Sequence, residues 1–180
     1  MSKVLIISTS LRAKSNSDIL AGQLAAGARE AGHEVELISL KGKKINFCIG
    51  CLACQKTLTC IQKDDAMEIA EKVKNAETLV FVTPIYYYEM SGQMKTLLDR
   101  LNPLYPSDYQ FRKVYMMSVA AEAEAGVPEK AESGLQGWVD CFEKAEFCGA
   151  LFCGGIGDPG EASGKKDARE RAFAFGRELK

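Results

Sequence analysis

The sequence is short of several features that mark common protein classes. It has one histidine, His33, which is expected at a solvated helix end, so no histidine-dependent catalytic triad is expected. The formal net charge is −1, and basic residues cluster only at Lys41, Lys43 and Lys44, which argues against nucleic acid or a membrane surface as a partner. No apolar run approaches the about 20 residues that a membrane-spanning helix needs. The expected class is therefore an ordinary water-soluble globular protein.

Nothing in the sequence indicates a second domain or secretion. There is no internal repeat, low-complexity tract or linker, so residues 1–180 are expected to form one domain. The first residues, Met1 to Ile7, become polar too soon for a secretory signal and are predicted to form a strand. We therefore expect a cytoplasmic protein. In that reducing compartment the seven cysteines are not expected to form a disulfide framework.

Apolar strands alternate with amphipathic helices along the chain. The predicted strands are residues 4–7, 35–40, 78–83, 114–120 and 147–153, and Pro84 is expected to end the third. The predicted helices follow these strands and include residues 20–31, 65–76, 91–101, 128–145 and 168–179. This alternation predicts a doubly wound α/β fold, a five-stranded parallel sheet with helices on both faces. Ligands are expected where the loops after Ile7, Thr83 and Ala120 meet.

A polar loop, Ser8 to Asp18, joins the first strand to the first helix. Its hydroxyl and amide side chains, one arginine and the helix N-terminus are the groups that bind a phosphate. Alternatively, it is a polar loop in which Ser15 or Asn16 caps the helix. It lacks the glycine spacing of a Walker A loop or a dinucleotide fingerprint. The pattern G-x-G-x-x-G occurs only from Gly155 to Gly160, after the last strand, where we interpret it as a turn.

Three successive tyrosines, Tyr86, Tyr87 and Tyr88, follow the third strand. Exposed rings at the end of a strand are costly unless they cover a flat ligand or fill an interface. Core packing would account for one of them.

Two stretches of sequence carry a family resemblance. The segment T-P-I-Y-Y-Y-E-M-S-G-Q-M-K-T-L-L-D-R, from Thr83 to Arg100, resembles the flavin-contacting loop and helix of the NAD(P)H-dependent FMN reductases. The segment S-T-S-L-R-A-K-S-N-S, from Ser8 to Ser17, is similar to the FMN phosphate loop of that family, with Thr9 in place of the usual glycine. Both motifs stand in the family's order and at the ends of predicted strands.

The resemblance implies a flavodoxin-like fold and an FMN site. The residues expected to hold the FMN phosphate are Ser10, Arg12, Ser15, Asn16 and Ser17. The residues expected to line the flavin ring are Pro84, Ile85, Tyr86 and Tyr87, with Met90 and Ser91 close by. The third loop, Ala121 to Glu124, is expected to border the ring, although its acidic residues depart from the small, glycine-containing loop of the family.

The resemblance further implies an FMN-dependent oxidoreductase. NAD(P)H would deliver hydride to the flavin N5, and the electrons would pass to a small-molecule acceptor such as a quinone, a free flavin or a metal. The flavin carries this chemistry, so no catalytic side chain is required. The tyrosine-rich loop also suits a subunit interface, so a homodimer is expected. Two alternatives are an electron-transfer protein that oxidises no nicotinamide itself and a regulatory or metal-binding module that has lost its flavin.

Four cysteines fall within thirteen residues, with the spacing C-x2-C-x2-C-x5-C. They are Cys48, Cys51, Cys54 and Cys60. The motif, followed by Asp64 and Asp65, is similar to that of the iron–sulfur flavoproteins, which implies a [4Fe–4S] cluster beside the flavin. Structural zinc more often uses two separated C-x-x-C pairs. The other alternative is that these cysteines are small apolar groups or reactive thiols without a cluster. The remaining cysteines, Cys141, Cys148 and Cys153, are expected in the core.

Overall fold

The computed structural model describes all residues from 1 to 180. The strands are β1 (Lys3–Ser8), β2 (Glu34–Ser39), β3 (Thr78–Tyr86), β4 (Glu89–Met90), β5 (Lys113–Val119) and β6 (Glu146–Cys153). The α-helices are α1 (Asn16–Glu30), α2 (Cys54–Thr57), α3 (Asp65–Asn75), α4 (Gly92–Arg100), α5 (Glu129–Val139) and α6 (Lys166–Arg177). Short 3-10 helices cover Asn102–Leu104 and Glu161–Ser163. None of the helices has both the length and the apolar character needed to cross a bilayer.

The sheet has the order β2-β1-β3-β5-β6, and each of these neighbouring pairs is parallel. The short strand β4 pairs antiparallel with the end of β3. Strand order reverses beside β1, which places β1 and β3 at the topological switch point, where open α/β sheets bind their ligands. The predicted doubly wound α/β fold is confirmed, with one short strand more than the five predicted.

Both faces of the sheet are covered because alternate side chains of the central strands point to opposite sides. On one face Phe81 of β3 packs in a core with Ile69, Leu97 and Leu135 from α3, α4 and α5. On the other face Val80 and its neighbours pack in a second core with α1 and α6. The two cores together fix the N-terminus of α1 and the end of β3 at the same edge of the sheet.

Two element boundaries differ from the prediction. Pro84 does not end β3, which continues to Tyr86 and still pairs with β5 through the register Pro84–Val119. On its other side β3 has no partner there, because the pairing with β1 stops at Ser8–Val82. Proline is tolerated at such an edge, where no ladder hydrogen bond is lost. In the predicted helix from 128 to 145, only Glu129–Val139 is α-helical.

Candidate functional site

A cavity of about 390 Å³ opens at the C-terminal edge of the sheet. This volume falls in the range of small-molecule sites, about 300–1,000 Å³. It is lined by residues from the ends of four strands and the loops that follow them: Ser10, Arg12, Asn16, Ser17, Pro84, Ile85, Tyr86, Tyr87, Tyr88, Val119, Ala120, Ala121, Glu122, Val127, Ile156 and Gly157. Polar groups gather at one end and aromatic and apolar groups at the other, so the cavity suits a ligand with an anionic tail and a flat ring.

The polar end is built on the N-terminus of α1. Ser10 and Ser17 are 4% and 2% exposed and line the cavity, and Ser17 lies in the first turn of the helix. Unpaired N–H groups of that turn and the helix dipole favour an anion. Arg12 adds the single positive charge among the lining residues. This donor set fits the phosphate of FMN.

Ser15 and Asn16, both predicted to hold phosphate, are engaged within the protein. Ser15 caps α1, since its Oγ accepts a hydrogen bond from the Asp18 N–H at 3.1 Å. Asn16 lines the cavity, but its Nδ2 donates to the Asp158 carbonyl at 2.8 Å and its Oδ1 accepts from the Ala162 N–H at 3.1 Å. Asn16 therefore braces the segment that follows β6.

That segment, which we call the β6–α6 loop (residues 154–165), is the part of the site that the sequence did not predict. Its Gly157 lines the cavity, and the Gly157 carbonyl accepts a hydrogen bond from Arg12 Nη1 at 2.6 Å. The Glu161 carboxylate accepts from the N–H groups of Gly157 and Asp158 at 2.8 and 3.0 Å. The hydrogen bond from Lys165, and then these two N–H groups, lower the pKa of Glu161 to about 2.

The glycine pattern of the β6–α6 loop was interpreted from the sequence only as a turn. The pattern does form a turn, with positive φ at Gly155 and Gly160. Its neighbour Gly154 lies so close to the loop after β5 that a Cβ there would stand 2.6 Å from the Glu122 carbonyl oxygen. Only glycine permits this approach, and the approach brings both loops to the cavity.

The ring end is a β-hairpin formed by β3 and β4. Ile85 pairs with Met90 and Tyr86 with Glu89, so Tyr87 and Tyr88 are the two turn residues. Pro84, Ile85, Tyr86 and Tyr87 line the cavity, and Tyr88 does so as well although it was not predicted.

Met90 and Ser91, predicted close to the ring, are not among the residues that line the cavity. Met90 is 6% exposed and packs in the core. Ser91 is fully buried, caps α4, and forms hydrogen bonds with the hydroxyls of Thr9 (3.1 Å) and Thr83 (3.3 Å). These buried hydroxyls join the phosphate end to the ring end, so Ser91 supports the site without lining it.

Of the four residues after β5 that were predicted to border the ring, two line the cavity. Ala121 and Glu122 line the cavity, whereas Ala123 and Glu124 do not. Glu122 is the single acidic residue among the lining residues.

The four clustered cysteines lie in a separate region, the cysteine segment (residues 46–64). Cys48 and Cys51 are exposed, Cys54 is buried, and Cys60 is half-buried. As placed, no three or more thiol, histidine or carboxylate groups come together in a geometry that could hold a metal ion. Two of the sulfurs nevertheless face N–H donors: Cys54 Sγ accepts from Asn102 Nδ2 at 3.2 Å and Cys60 Sγ from Arg100 Nη2 at 3.5 Å.

A buried ion pair anchors the base of the cysteine segment. The side chains of Arg100 and Asp64 are 0% and 4% exposed, and Arg100 donates to both carboxylate oxygens at 2.6 and 2.9 Å. Arg100 Nη1 also donates to the Asn46 carbonyl at 2.8 Å, so one guanidinium joins both ends of the segment. Burial favours the neutral carboxyl, but hydrogen bonds from Arg100 and from two backbone N–H groups outweigh it and lower the pKa of Asp64.

Predictions for four residues outside the cavity have mixed outcomes. Cys153 is buried in the core, and burial raises the pKa of its thiol to about 11. Cys148 is half-buried, and the prediction for Cys141 was wrong, because its side chain is exposed after the end of α5. His33 is half-buried rather than solvated: its ring nitrogens lie 2.8 Å from Ser2 Oγ and 3.2 Å from the Leu179 carbonyl oxygen.

Solved structures with the same fold include proteins that are named as reductases or oxidoreductases. An NAD(P)H:quinone oxidoreductase from Methanothermobacter marburgensis superposes with a TM-score of 0.78 at 21% identity, covering 99% of each chain. An azoreductase from Bacillus anthracis superposes with a TM-score of 0.70 at 15% identity, covering 99% of this chain and 100% of that one. At these identities the likeness establishes the flavodoxin-like fold.

Several sequence relatives are named iron–sulfur flavoproteins. One from Archaeoglobus fulgidus is 34% identical over 164 residues, covering 86% of this chain and 81% of the relative. One from Methanocaldococcus jannaschii is 39% identical over 102 residues, 57% of this chain and 53% of the relative. A second Archaeoglobus fulgidus relative is matched over 45% of its length, so the chain spans about half of some relatives. The sequence profile described as NADPH-dependent FMN reductase matches residues 2–135, and the chain belongs to that family.

Proposed function

We propose that this protein is an FMN-dependent oxidoreductase that takes hydride from NAD(P)H and passes electrons to a small-molecule acceptor. The observation that carries the proposal is the cavity with two unlike ends. One end joins Arg12 to buried hydroxyls at a helix N-terminus, and the other is formed by the apolar and aromatic residues of the β3–β4 hairpin. Those are the complements of a flavin mononucleotide.

The side chains have separate tasks in this proposal. Ser10, Arg12 and Ser17 hold the phosphate, while Pro84, Ile85 and Tyr86 lie against the ring. Bound FMN supplies the hydride and electron chemistry. The protein orients the ring and limits access of water to its inner face. No side chain of the cavity needs to act as a nucleophile or general base.

The family description and the neighbours' names support the choice of substrates. The matching family is described by its use of NADPH. Two neighbours of the same fold are named as an NAD(P)H:quinone oxidoreductase and an azoreductase, and quinones and azo compounds are organic molecules. A small organic acceptor therefore fits this site better than a macromolecule does.

Anaerobic steady-state kinetics test the proposal. Protein supplied with FMN should oxidise NADPH when menadione is added as acceptor, and the rate should follow the protein concentration. Arg12→Ala should require more FMN to reach the same rate. Failure of the FMN-supplied protein to oxidise NADPH or NADH with a quinone, an azo dye or free flavin would contradict the reductase and favour an electron-transfer role.

We propose, as a second electron site, that Cys48, Cys51, Cys54 and Cys60 hold an iron–sulfur cluster. Support comes from the relatives' names and from the N–H donors aimed at Cys54 and Cys60, which favour thiolate sulfur. Because the thiols are not gathered, binding requires this exposed segment to rearrange. Anaerobically purified protein should contain iron and acid-labile sulfide, and Cys54→Ser should lose both. Flavin absorbance without iron would contradict the cluster.

We also propose that the protein forms a homodimer. Large apolar side chains of the cysteine segment are exposed, among them Phe47 at 78%, Ile49 at 67% and Ile61 at 57%. Such exposure is typical of a surface that another protein covers. Light scattering of the eluting protein should give twice the chain mass of 19.7 kDa, whereas a monomer mass at all concentrations would contradict the dimer.

A further inference from the structure

The turn between β3 and β4 has an unusual backbone for its sequence. Its two central residues, Tyr87 and Tyr88, have φ values of +52° and +65°. A two-residue hairpin turn with both φ values positive is of type I′. This turn strongly favours Asn-Gly, because glycine has no Cβ and the short polar side chain of asparagine tolerates the left-handed region. Tyrosine is a bulky residue for either position, so the turn is strained.

The packing of the fold does not account for this strained turn. Tyr87 is 99% exposed and Tyr88 is 53% exposed, so neither ring is a core residue. The hairpin is held instead by Ile85 and Met90, which are 9% and 6% exposed and lie in the core. Since Asn-Gly would form the same turn with less strain, the rings serve something other than folding.

The position of the two tyrosine rings indicates their role. Both tyrosines line the outer rim of the cavity, beyond Pro84 and Ile85. The charged lining residues are Arg12, at the phosphate end, and Glu122, on the loop after β5. The rim therefore offers two aromatic faces and two hydroxyls but no cation, which suits an uncharged planar ring and not a phosphate-bearing molecule.

We propose that the Tyr87–Tyr88 turn is a strained aromatic platform that binds the uncharged planar ring of the electron acceptor, a quinone-type molecule. This inference rests on the proposed flavin-dependent function, and it assigns the two tyrosines to the acceptor instead of to FMN. NADPH carries phosphates that this rim does not match, so its affinity is set elsewhere.

Three double variants distinguish the effect of losing the tyrosine rings from the effect of relieving the backbone strain. Tyr87→Asn with Tyr88→Gly relieves the backbone and removes both rings. Tyr87→Ala with Tyr88→Ala removes the rings and leaves a Cβ at both positions. Tyr87→Phe with Tyr88→Phe keeps the rings. Tyr105→Ala is the control, because Tyr105 is 58% exposed and does not line the cavity.

The readouts are Tm, the Kd for FMN, and KM for menadione and for NADPH. Both ring-free variants should raise KM for menadione about 3- to 10-fold, with NADPH and FMN changed less than about twofold. The Asn-Gly variant alone should also raise Tm, by roughly 4 to 8 °C. The Phe-Phe variant and the control should match the wild type.

The outcomes that overturn the platform differ from those that overturn the function. Unchanged KM for menadione in both ring-free variants of an active, FMN-binding protein contradicts the platform alone. Equal rises in KM for menadione and NADPH, or a weaker Kd for FMN, also contradict it, because the rings would then act on the flavin. A wild-type protein that binds no FMN and oxidises no NADPH contradicts the proposed function, and the platform with it.

Discussion

The cavity and the cysteine segment are two candidate redox sites that differ in how far their side chains are held in place. At the cavity, side chains from separate loops are buried and cross-linked by hydrogen bonds, as with Asn16, which joins α1 to the β6–α6 loop. In the cysteine segment two thiols are exposed, and Leu52 and Leu58 adopt positive φ. The proposed flavin site is therefore formed in advance of its ligand, whereas the four thiols are not gathered at one point.

That anchor lies in the same helix that supports the hairpin. Ser91 caps the first turn of α4 beneath the cavity, and Arg100 ends α4 beneath the cysteines. A single helix therefore connects both regions through buried polar contacts. Substitutions at Arg100, Arg12, Asn16 and Glu161 distinguish the two regions.

Replacing Arg100 should have the largest effect. Arg100→Met leaves the buried Asp64 carboxylate without its partner, and such a change costs about 3–5 kcal/mol of unfolding free energy. Urea unfolding measures this loss. Lys95→Ala is the matched control on α4, because the Lys95–Asp99 pair is exposed and its loss should cost less than about 1 kcal/mol. If Arg100→Met were as stable as this control, the anchor would not exist.

Arg12 tests the phosphate end of the cavity. Arg12→Ala removes the one positive charge among the lining residues and should weaken FMN binding about 10- to 100-fold, as expected for a charge-assisted hydrogen bond. Calorimetric titration with FMN measures the change. Arg29→Ala, at the far end of α1, should leave FMN affinity unchanged. An equal effect of the two substitutions would remove the phosphate site from this loop.

Asn16 tests whether the cavity is held in advance. Asn16→Ala loses the hydrogen bonds to Asp158 and Ala162 and should lower the unfolding free energy by about 1–2 kcal/mol. Hydrogen exchange should quicken most in the β6–α6 loop. Asn75→Ala also loses two amide hydrogen bonds, but at an exposed site, so it should be nearly neutral. Uniform exchange across the chain would contradict the brace.

The smallest effect concerns the pH dependence of the β6–α6 loop. Because the folded pKa of Glu161 is depressed to about 2, its contribution is fully present above the unfolded pKa of about 4.3 and is lost as pH falls toward 2. The NMR amide signals of Gly157 and Asp158 should shift with a midpoint near that folded pKa. Glu161→Gln should abolish the step; a midpoint near the unfolded value would show that the carboxylate is free.

Local sequence signals predicted the strands, the order of the helices and two of the cavity's loops. The apolar strand from Thr78 and the helix capped by Ser91 are both confirmed. These features depend on neighbours in sequence, on periodicity and on caps. The same local signals could not say that β3 passes through Pro84, because that depends on which strand lies beside it.

The rest of the site depends on contacts between distant residues. The role of Gly157 requires that β6 end beside β5 and that α1 meet the following loop, which no local pattern reveals. Similarly, Asn16 matched a phosphate motif, but its hydrogen bonds to Asp158 and Ala162 emerge only in three dimensions. The helix cap formed by Ser15 is one of the two alternatives that the sequence left open. The cytoplasmic location and the cysteine ligands stay predictions.

A fluorescence titration of the flavin-free protein with FMN tests whether the cavity binds a flavin. Flavin emission should be quenched until one FMN is bound per chain, and Arg12→Ala should shift the titration to higher FMN concentration. Flavin emission that rises in proportion to the added FMN, with no quenching even when the protein is in large excess over FMN, would contradict the flavin site. It would also contradict the proposed function, which depends on that site.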